Sequence, residues 1–596
     1  MMDQMQHTEN LVSLFFAQAE RLNDKPFLWQ KQGNIYHALT WAECADRVIK
    51  LACALKEKGI EKGDRVVLVS ENRSEWALAD LAIMAAGAIT VPTYITNTLN
   101  DHQHILNNSQ AKAAFISTQK LAETFLRATH QASDIEFVIS IEQLSLKQEL
   151  THSVYHWDDI LKGAVADKTL IQKNVKQIKS DETACIIYTS GTGGRPKGVM
   201  LAHRSILHNC TGATTVLKPL GLGDDVFLSF LPLSHAYEHT AGLMFPIYLG
   251  AQIYYAESAE KLVQNMAECR PTLMTAVPRL YEMIRTKILR NIEQQGGEKE
   301  QLFKKAVQLG IDKHLGRRLG LLGTLQHVAL EWLVRHKIRQ RFGGRLKAFV
   351  SGGAPLHQEV GLFFQGMGVR ILQGYGQTES GPVVCVNTPG KIKMHTVGPA
   401  LANTELKIAT DGELLVRGDL VMQGYWRDEK TTQSVLKGGW LHTGDIGFID
   451  EDGYLQITDR KKDIIVNSGG DNISPQRIEG YLSLEKEIAQ CMVYGDQRSH
   501  LVALIIPDEE YAFEWAKKHG LPQDLNTLVK NDKFYEEISK AVTQVNSQLS
   551  KIDKVRKFIL SGEPFTVENE QMTPTLKIRR HVIETQYGDA LSKLYG

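Results

Sequence analysis

A glycine-rich loop with a single lysine is the segment of this chain that most directly predicts chemistry. Residues 188–198 read YTSGTGGRPKG and follow the apolar run Ala184–Tyr188, which predicts a buried strand. Successive glycines let backbone N–H groups converge on an anion, hydroxyls add donors, and a lysine supplies a mobile positive charge. The segment predicts a phosphate-binding loop with the candidate residues Thr189, Ser190, Gly191, Thr192, Gly193, Gly194 and Lys197.

The loop does not fit the P-loop of nucleoside triphosphatases, which requires a Ser or Thr after the lysine, where Gly198 stands here. It resembles instead the phosphate-binding signature of the adenylate-forming superfamily, which includes acyl-CoA synthetases, peptide-synthetase adenylation domains and luciferases. Gly193 departs from the usual Thr of that family, so one hydroxyl contact is lost. The resemblance implies that Thr192 and Lys197 hold ATP phosphates and that Thr192 also contacts Mg²⁺.

A second segment, residues 374–379 with the sequence GYGQTE, resembles the second ATP motif of the same family. It follows the apolar run Val369–Leu372. Thr378 can donate to a phosphate, Glu379 can ligate Mg²⁺, and Tyr375 offers a flat face for adenine. Gly374 and Gly376 are further candidates for the ATP site. The resemblance places the small residues Gly352, Gly353, Ala354 and Pro355, after the predicted strand Leu346–Val350, around the adenine.

Two further motifs complete the nucleotide site that the resemblance implies. Asp445, in WLHTGD, matches the family aspartate that accepts hydrogen bonds from both ribose hydroxyls. Arg460, in DRKKD, is implied to reach the ribose or a phosphate, and Lys462 marks the pivot between a large and a small domain. The glycine usual before this arginine is Asp459 here.

Lys577, within MTPTLKIR, resembles the lysine that stabilises the adenylation transition state. Taken alone, the segment favours a solvated basic patch with Arg579 and Arg580, but it is the fifth family motif in the expected order. Residues 467–475, NSGGDNISP, resemble the loop that lines the pantetheine tunnel, so Ser468, Gly469 and Gly470 become candidates for contacts with CoA. The alternative is an ordinary connecting loop.

The resemblance implies two half-reactions at one site. A carboxylate and MgATP give acyl-adenylate and pyrophosphate, and the CoA thiol then displaces AMP. Residues 231–238, LPLSHAYE, resemble the acyl site of fatty acyl-CoA synthetases, where His235 lies near the acyl-adenylate unless it is a structural histidine. Residues 276–282 and a helical insertion from about 284 to 342 are typical of the long-chain branch, so the implied substrate is a long-chain fatty acid.

Alternating strand and helix patterns predict an α/β fold. We expect a large N-terminal domain, residues 1–460, of parallel-rich sheets covered by helices, with a β-rich subdomain at about 396–460. A mobile α+β C-terminal domain, residues 461–596, follows the hinge. Predicted strands include Arg65–Val69, Ala113–Ile116, Phe137–Ile141, Val226–Phe230 and Leu273–Ala276.

Charge and cysteine content exclude several classes. The 596 residues carry 68 basic and 68 acidic side chains, so no global field favours nucleic acid. Seven scattered cysteines show no metal-ligand spacing and predict a reduced, cytoplasmic protein. The polar segment Met1–Asn10 lacks a secretory pattern. The run Leu78–Val91 contains Asp80 and is too short to span a bilayer, which predicts a buried helix followed by a strand.

Basic residues dominate region 304–347, with leucine, valine, isoleucine and Trp332 between them. Such a region can contact the inner face of a membrane peripherally or form a solvated helical face. The oligomeric state is not readable from the sequence. Two other functions stay open: a fatty acyl-AMP ligase that serves a carrier protein, and a non-catalytic nucleotide-binding protein. The presence of Lys577 and Glu379 argues against the second.

Overall fold

The computed structural model describes residues 8–130, 134–145, 152–189, 195–573 and 577–596. Over these ranges the chain forms two large, mainly parallel sheets covered by helices, a smaller β-rich unit and a separate C-terminal domain. This is the α/β architecture that the alternating pattern predicts.

The first large sheet has eight strands among the described residues, and apolar runs build its parallel centre. Strand Arg65–Val69 pairs in parallel with Ile89–Thr93 on one side and Ala113–Ile116 on the other. These strands are buried almost throughout, as a sheet covered on both faces requires. Its strand order is Gly424–Tyr425, Lys197–Ala202, Thr183–Thr189, Ile89–Thr93, Arg65–Val69, Ala113–Ile116, Phe137–Ser140 and Ser153–His156.

The second large sheet also has eight strands in the described ranges and carries the second ATP motif at one edge. The strand predicted at Val369–Leu372 lies at Ile371–Tyr375. It extends further because Gly374 and Tyr375 pair with the antiparallel strand Cys385–Val386, a partner that the local pattern does not reveal. Its strand order is Cys385–Val386, Ile371–Tyr375, Ala348–Ser351, Leu273–Ala276, Val226–Ser229, Gln252–Tyr255, Pro26–Gln32 and Ile35–Thr40.

Helix Ser74–Ala85 is buried on nearly every side, which explains its almost uninterrupted apolar sequence. As predicted, the run Leu78–Val91 divides between this helix and strand Ile89–Thr93. The other helices around the two sheets are Leu11–Leu22, Trp41–Glu57, Leu99–Ser109, Gln119–Thr129, Trp157–Gly163, Lys168–Gln177, His203–Leu217, Ala236–Glu238, Phe245–Leu249, Leu262–Cys269 and Gln358–Gly366, with a π-helix at His239–Met244.

The insertion predicted at about 284–342 is helical. Its first helix, Pro278–Gln295, begins with a proline at the position where the missing N–H costs nothing. The remaining elements are helices Gly297–His314, Gly320–Leu330 and His336–Arg341, with a π-helical turn at Glu331–Arg335.

A β-rich unit follows the two large sheets. Its strands are Glu405–Ile408, Glu413–Arg417, Leu436–Lys437, Trp440–Ile449 and Leu455–Arg460, with helix Glu429–Val435 beside them. Between its strands, Gly424–Tyr425 returns to pair with Lys197–Ala202 of the first sheet. The β-rich unit is thereby joined to the strand that follows the phosphate loop.

The C-terminal domain has its own core, centred on Trp515, Phe534 and Ile538. It contacts the larger domain where Arg290 donates to Asp508 at 2.9 Å and where the rings of His357 and Tyr481 lie 4.8 Å apart. Its strands are Ile465–Val466, Asn472–Ile473, Ile488–Tyr494, Leu501–Pro507 and Val555–Leu560, and its helices are Pro475–Leu482, Glu509–Lys518, Leu525–Leu528, Asp532–Gln548 and Arg580–Ser592. No described helix is long and apolar enough to cross a bilayer.

Candidate active site

The predicted phosphate loop connects two antiparallel strands. Thr189, the last residue of Thr183–Thr189, pairs directly with Lys197, the first residue of Lys197–Ala202. Both residues are half-buried, so the described ends of the loop lie together at the sheet edge. The candidates Ser190, Gly191, Thr192, Gly193 and Gly194 lie outside the described residues.

Lys197 lies beside the second ATP motif. Its ammonium is 5.4 Å from the centre of the Tyr425 ring, and the Tyr425 hydroxyl donates to the Glu379 carboxylate at 2.9 Å. Burial and the Glu379 charge raise the pKa of Tyr425. The tyrosine therefore stays a neutral donor between a cation and a carboxylate.

Gly376 gives the second motif its shape. A Cβ built on it would lie 1.8 Å from the carbonyl oxygen of Pro382, so only glycine fits there without backbone movement. The short 3₁₀ turn Thr378–Ser380 follows, with Thr378 buried and Glu379 half-buried. Gly374 is similarly restricted, since its Cβ would lie 2.9 Å from the Cys385 carbonyl oxygen.

The small residues predicted for the adenine pocket follow strand Ala348–Ser351. A Cβ on Gly352 would come within 3.0 Å of the Tyr237 ring, and Gly353 has φ +82°, a conformation that favours glycine. Ala354 is half-buried and Pro355 is exposed. These four residues thus form a tight turn at the carboxyl end of a parallel strand, where open α/β sheets bind ligands.

Asp445 is buried and accepts two hydrogen bonds. The Tyr375 hydroxyl donates to its Oδ2 at 2.6 Å, and Arg460 Nε donates to its Oδ1 at 3.1 Å. Burial disfavours the charged guanidinium of Arg460 and so lowers its pKa. The carboxylates of Asp445 and Asp463 have the larger effect, and the net result is a raised pKa for Arg460. The predicted adenine platform Tyr375 is therefore also a hydrogen-bond partner of the predicted ribose ligand.

Lys577 comes from the C-terminal domain and lies in this same cluster. Surrounding protein atoms, and then the Arg460 cation, lower the pKa of its ammonium to about 8, while Asp445 and Glu379 act in the opposite direction. The residue as a whole keeps solvent-exposed surface. Both observations fit a side chain that enters a cleft which remains open to water. Its backbone N–H donates to the Thr573 hydroxyl at 3.1 Å.

His235 faces the cluster from the large domain. Burial, and then the charge on Lys577, lower its pKa to about 3, so the imidazole is neutral at physiological pH. Its Nδ1 accepts from the backbone N–H of Tyr237 at 3.2 Å. Because Nδ1 is the acceptor, the proton of the neutral ring lies on Nε2, which is then a donor.

The remaining candidates lie outside this cluster. Lys462 is exposed within the turn that follows Arg460. Ser468, Gly469 and Gly470 are exposed as well, and the backbone N–H of Ser468 donates to the Arg498 carbonyl at 2.9 Å, inside the C-terminal domain. The structure therefore brings Lys577 to the large domain while the predicted CoA loop faces solvent.

An apolar cavity of about 50 Å³ is lined by Tyr237, which follows His235 by two residues in the chain. Ligand pockets typically measure about 300–1,000 Å³, so its side chains must move before a long acyl chain can enter. One wall belongs to the π-helix His239–Met244. The lining includes Ala213, Leu217, Phe227, Tyr237, Phe245 and Val383.

Sequence reasoning missed two polar features next to this cavity. Glu238 is fully buried and accepts from the Ser229 hydroxyl at 2.7 Å and the Thr275 hydroxyl at 2.5 Å, and burial raises its pKa to about 7. In the same layer, Asp80 and His239 form a fully buried pair with 3.0 Å between Oδ2 and Nε2. The only signal for them in the sequence was that Glu238, Asp80 and His239 stand within apolar runs.

Comparison with known proteins agrees with this geometry. The family model of the AMP-binding enzyme matches residues 15–426, and the model of the AMP-binding enzyme C-terminal domain matches residues 462–596. A long-chain-fatty-acid–CoA ligase of Mycobacterium tuberculosis is 33% identical over 98% of this chain and 97% of its own length. Long chain acyl-CoA synthetase 3 of Arabidopsis thaliana is 29% identical over 98% of this chain and 92% of its own.

Solved structures share the fold. The adenylation domain of a carboxylate reductase from Mycobacterium chelonae matches with a TM-score of 0.78 and 20% identity, covering 100% of this chain and 93% of that domain. The A domain of the Segniliparus rugosus carboxylic acid reductase, in complex with AMP, matches with a TM-score of 0.76 and 19% identity, covering 100% and 95%. The chain belongs to the AMP-binding enzyme family of adenylate-forming enzymes, among relatives that are long-chain fatty acyl-CoA ligases.

Proposed function

We propose that this protein activates long-chain fatty acids with ATP to acyl-AMP and then transfers the acyl group to CoA, releasing pyrophosphate and AMP. The observation that carries the proposal is the convergence of Lys577 with Asp445, Arg460 and Glu379. Two domains contribute to this cluster, and its charged groups suit a nucleotide. The relatives are long-chain-fatty-acid–CoA ligases and long chain acyl-CoA synthetases, which supports a fatty acid and CoA as substrates.

In the first half-reaction a carboxylate oxygen attacks the α-phosphorus of ATP, and the bond to pyrophosphate breaks. Negative charge grows on the phosphate oxygens in the transition state. The Lys577 ammonium, held among protein atoms rather than bulk water, stabilises that charge more than it stabilises the ground state. Thr189, Thr192, Lys197 and Thr378 hold the phosphates, and the glycines of the loop allow close backbone approach.

Asp445 binds the ribose hydroxyls in this proposal. Its carboxylate has acceptor capacity beyond the bonds from Tyr375 and Arg460, because two ionised oxygens offer about four lone-pair sites. Gly352, Gly353, Ala354 and Pro355 form the turn beside the adenine. Arg460 contacts the ribose or a phosphate in the same proposal.

Mg²⁺ fits the site through Glu379. No group of three or more metal-ligating His, Cys, Asp or Glu side chains occurs among the described residues. That is compatible with Mg²⁺, which commonly uses one or two carboxylates together with substrate phosphates and water. Glu379 would hold the ion with Thr192, and the ion would supply charge neutralisation at the ATP phosphates.

The acyl chain occupies an enlarged form of the apolar cavity lined by Tyr237. The Nε2–H of the neutral His235 is available to donate to an oxygen of the acyl-adenylate. Thr240 and Ala241 of the π-helix His239–Met244 line this cavity and would contact the chain. A π-helix is a frequent feature of functional sites because its wider turn displaces side chains from the regular helical positions.

The second half-reaction requires a domain movement about Lys462. The CoA thiolate attacks the acyl carbonyl carbon, and AMP leaves with its electron pair on the phosphate oxygen. Ser468, Gly469 and Gly470 contact CoA after the C-terminal domain has rotated. Their exposure in the present arrangement supports this order, since Lys577 occupies the cleft first.

CoA is favoured over a carrier protein as acceptor because the run Arg460–Asn472 has no insertion that would obstruct rotation. A binding protein without catalysis would not require Lys577 in the nucleotide cluster. We also place the protein in the cytoplasm, because its seven scattered cysteines favour a reducing compartment. Peripheral contact with the inner face of the membrane is proposed through the basic region 304–347.

The deciding experiment measures AMP and acyl-CoA from ATP, Mg²⁺ and CoA over saturated acids of increasing chain length, with an amino acid and an aryl acid included. We expect both products, with a preference for long chains. Accumulation of acyl-AMP without acyl-CoA would move the function to an acyl-AMP ligase. ATP binding without acid-dependent pyrophosphate release would leave only a binding protein.

A further inference from the structure

Helix Gly320–Leu330 and the turn after it present an apolar face to solvent. Leu321, Leu325, Val328 and Trp332 are 91%, 69%, 57% and 72% exposed. Their spacing of four, three and four residues puts them on one side of the helix. We call these four residues the 321–332 face.

The opposite side of the same segment is fixed to the protein. Leu330 is buried, and the buried Arg335 donates through Nε to the Gly366 carbonyl at 2.9 Å and through Nη2 to the Ala306 carbonyl at 2.5 Å. The segment is therefore anchored to the protein at its C-terminal end, whereas the 321–332 face is turned to solvent.

This exposure is concentrated in one place. Among the described residues, nineteen large apolar side chains are strongly exposed, and six of them lie between residues 321 and 333. Leu322 and Leu333 are the two at the margin of the face. Scattered exposed apolar residues are ordinary, whereas a contiguous patch marks an interaction surface.

Basic residues flank the 321–332 face on both sides along the chain. Residues 313–341 contain seven Lys or Arg and one acidic residue, Glu331. Lys313, Arg318, Lys337 and Arg341 are exposed, and none of them has an ion-pair partner within the described part of the chain. An apolar centre with a basic rim matches an anionic lipid surface, in which headgroup phosphates overlie acyl chains.

A second copy of the chain fits this surface poorly. In a twofold dimer the same patch meets itself, so the unpaired cations of both copies would be brought together without acidic partners. An anionic bilayer instead supplies the opposite charge. Trp332 is also the residue type that prefers the boundary between headgroups and acyl chains.

We propose that the 321–332 face inserts into the headgroup boundary of an anionic membrane, with Arg318 and Lys337 contacting lipid phosphates. The helix has 11 residues, about 16 Å at 1.5 Å per residue, so it lies along the surface and does not span the bilayer. Delivery of fatty acid from that membrane rests on the proposed function, whereas the binding itself does not.

The test is flotation of the full-length protein with vesicles of phosphatidylcholine alone or with a third of phosphatidylglycerol, at low and high salt. We expect binding to the mixed vesicles. The variant L321Q/L325Q/W332Q should bind at least tenfold more weakly at both salt concentrations. R318E/K337E should lose binding to mixed vesicles chiefly at low salt. V165Q changes a side chain that is 82% exposed elsewhere and should bind as the wild type does.

The substitutions replace exposed side chains, so the fold should be kept, and octanoyl-CoA formation from dissolved octanoate serves as the control. Unchanged vesicle binding of the triple variant overturns the inference, as does absence of wild-type binding. A dimer in sedimentation that the triple variant abolishes, with no vesicle binding, assigns the face to a second copy. Vesicle binding by a protein that forms no acyl-CoA from any acid refutes the proposed function and leaves this inference standing.

Discussion

The lowered pKa of Lys577 makes adenylation sensitive to alkaline pH in a way that can be calculated. A lysine has an ordinary pKa of 10.5, and in this cluster burial and Arg460 lower it to about 8. In the proposed mechanism the charged form stabilises the transition state, and this form is lost as pH rises through that value. With a pKa of about 8, about a tenth of the molecules would keep the Lys577 ammonium charged at pH 9. With the ordinary pKa, about 97% would keep it charged.

Adenylation should therefore slow about tenfold between pH 7 and pH 9. The measurement is acid-dependent pyrophosphate release without CoA, expressed as kcat/KM for ATP because that quantity reports the free enzyme. Solvent at the exposed part of Lys577 screens its neighbours and moves the midpoint upward, so about tenfold is the upper limit of the expected fall.

Lys577→Arg is the matched control, because a guanidinium stays charged over this range. It should work more slowly yet show no fall between pH 7 and pH 9. Lys577→Ala should lose about a hundredfold or more and also show no alkaline limb. A wild-type rate that changes less than twofold, or an equal fall in the arginine variant, would refute the role of this ammonium.

Two further predictions concern substitutions of Glu238 and Gly376 in the large domain. Glu238 has its pKa raised from 4.5 to about 7, so the folded protein holds a proton that the unfolded chain releases, and stability falls as pH rises from about 4.5 to 7. Glu238→Gln should remove this penalty. At pH 8 it should raise the melting temperature by an amount equivalent to up to about 3 kcal/mol in the free energy of unfolding, whereas at pH 5 it should change little. Glu298→Gln, at an exposed position, is the control, and an equal shift at both pH values would contradict this. Gly376→Ala should cost about 1–3 kcal/mol and most ATP-dependent activity, because its Cβ would lie 1.8 Å from the Pro382 oxygen, whereas Gly390→Ala, with open space around it, should leave both unchanged. Equal melting temperatures for the two alanine variants would disprove the steric argument.

Local sequence predicted the elements that are buried on both faces. Strands Arg65–Val69, Ala113–Ile116 and Leu273–Ala276 begin and end where the apolar runs do. Strand Ile371–Tyr375 was displaced by two or three residues, because its last two residues pair with Cys385–Val386 and local hydrophobicity carries no information about that partner. The prediction was correct where burial determines the ends of a strand, and it was wrong where pairing with a distant strand determines them.

The candidate site shows the same division. Motif order placed Asp445, Arg460 and Lys577 together, and the structure brings them into one cluster. Tyr425 was not predicted, because it reaches Glu379 only when Gly424–Tyr425 joins the first sheet. The partners Asp80 and His239 lie 159 residues apart, so their pairing depends on the packing of two buried helices.

Contacts between the two domains include the bond from Arg290 to Asp508, the rings of His357 and Tyr481, and Leu484 packed on an apolar cluster of the large domain. In the proposed mechanism these contacts break when the C-terminal domain rotates about Lys462. A short flexible linker gives a tethered group an effective concentration in the millimolar range. The covalent connection would therefore return Lys577 to the nucleotide after each rotation, and one lysine would stay available for every turnover.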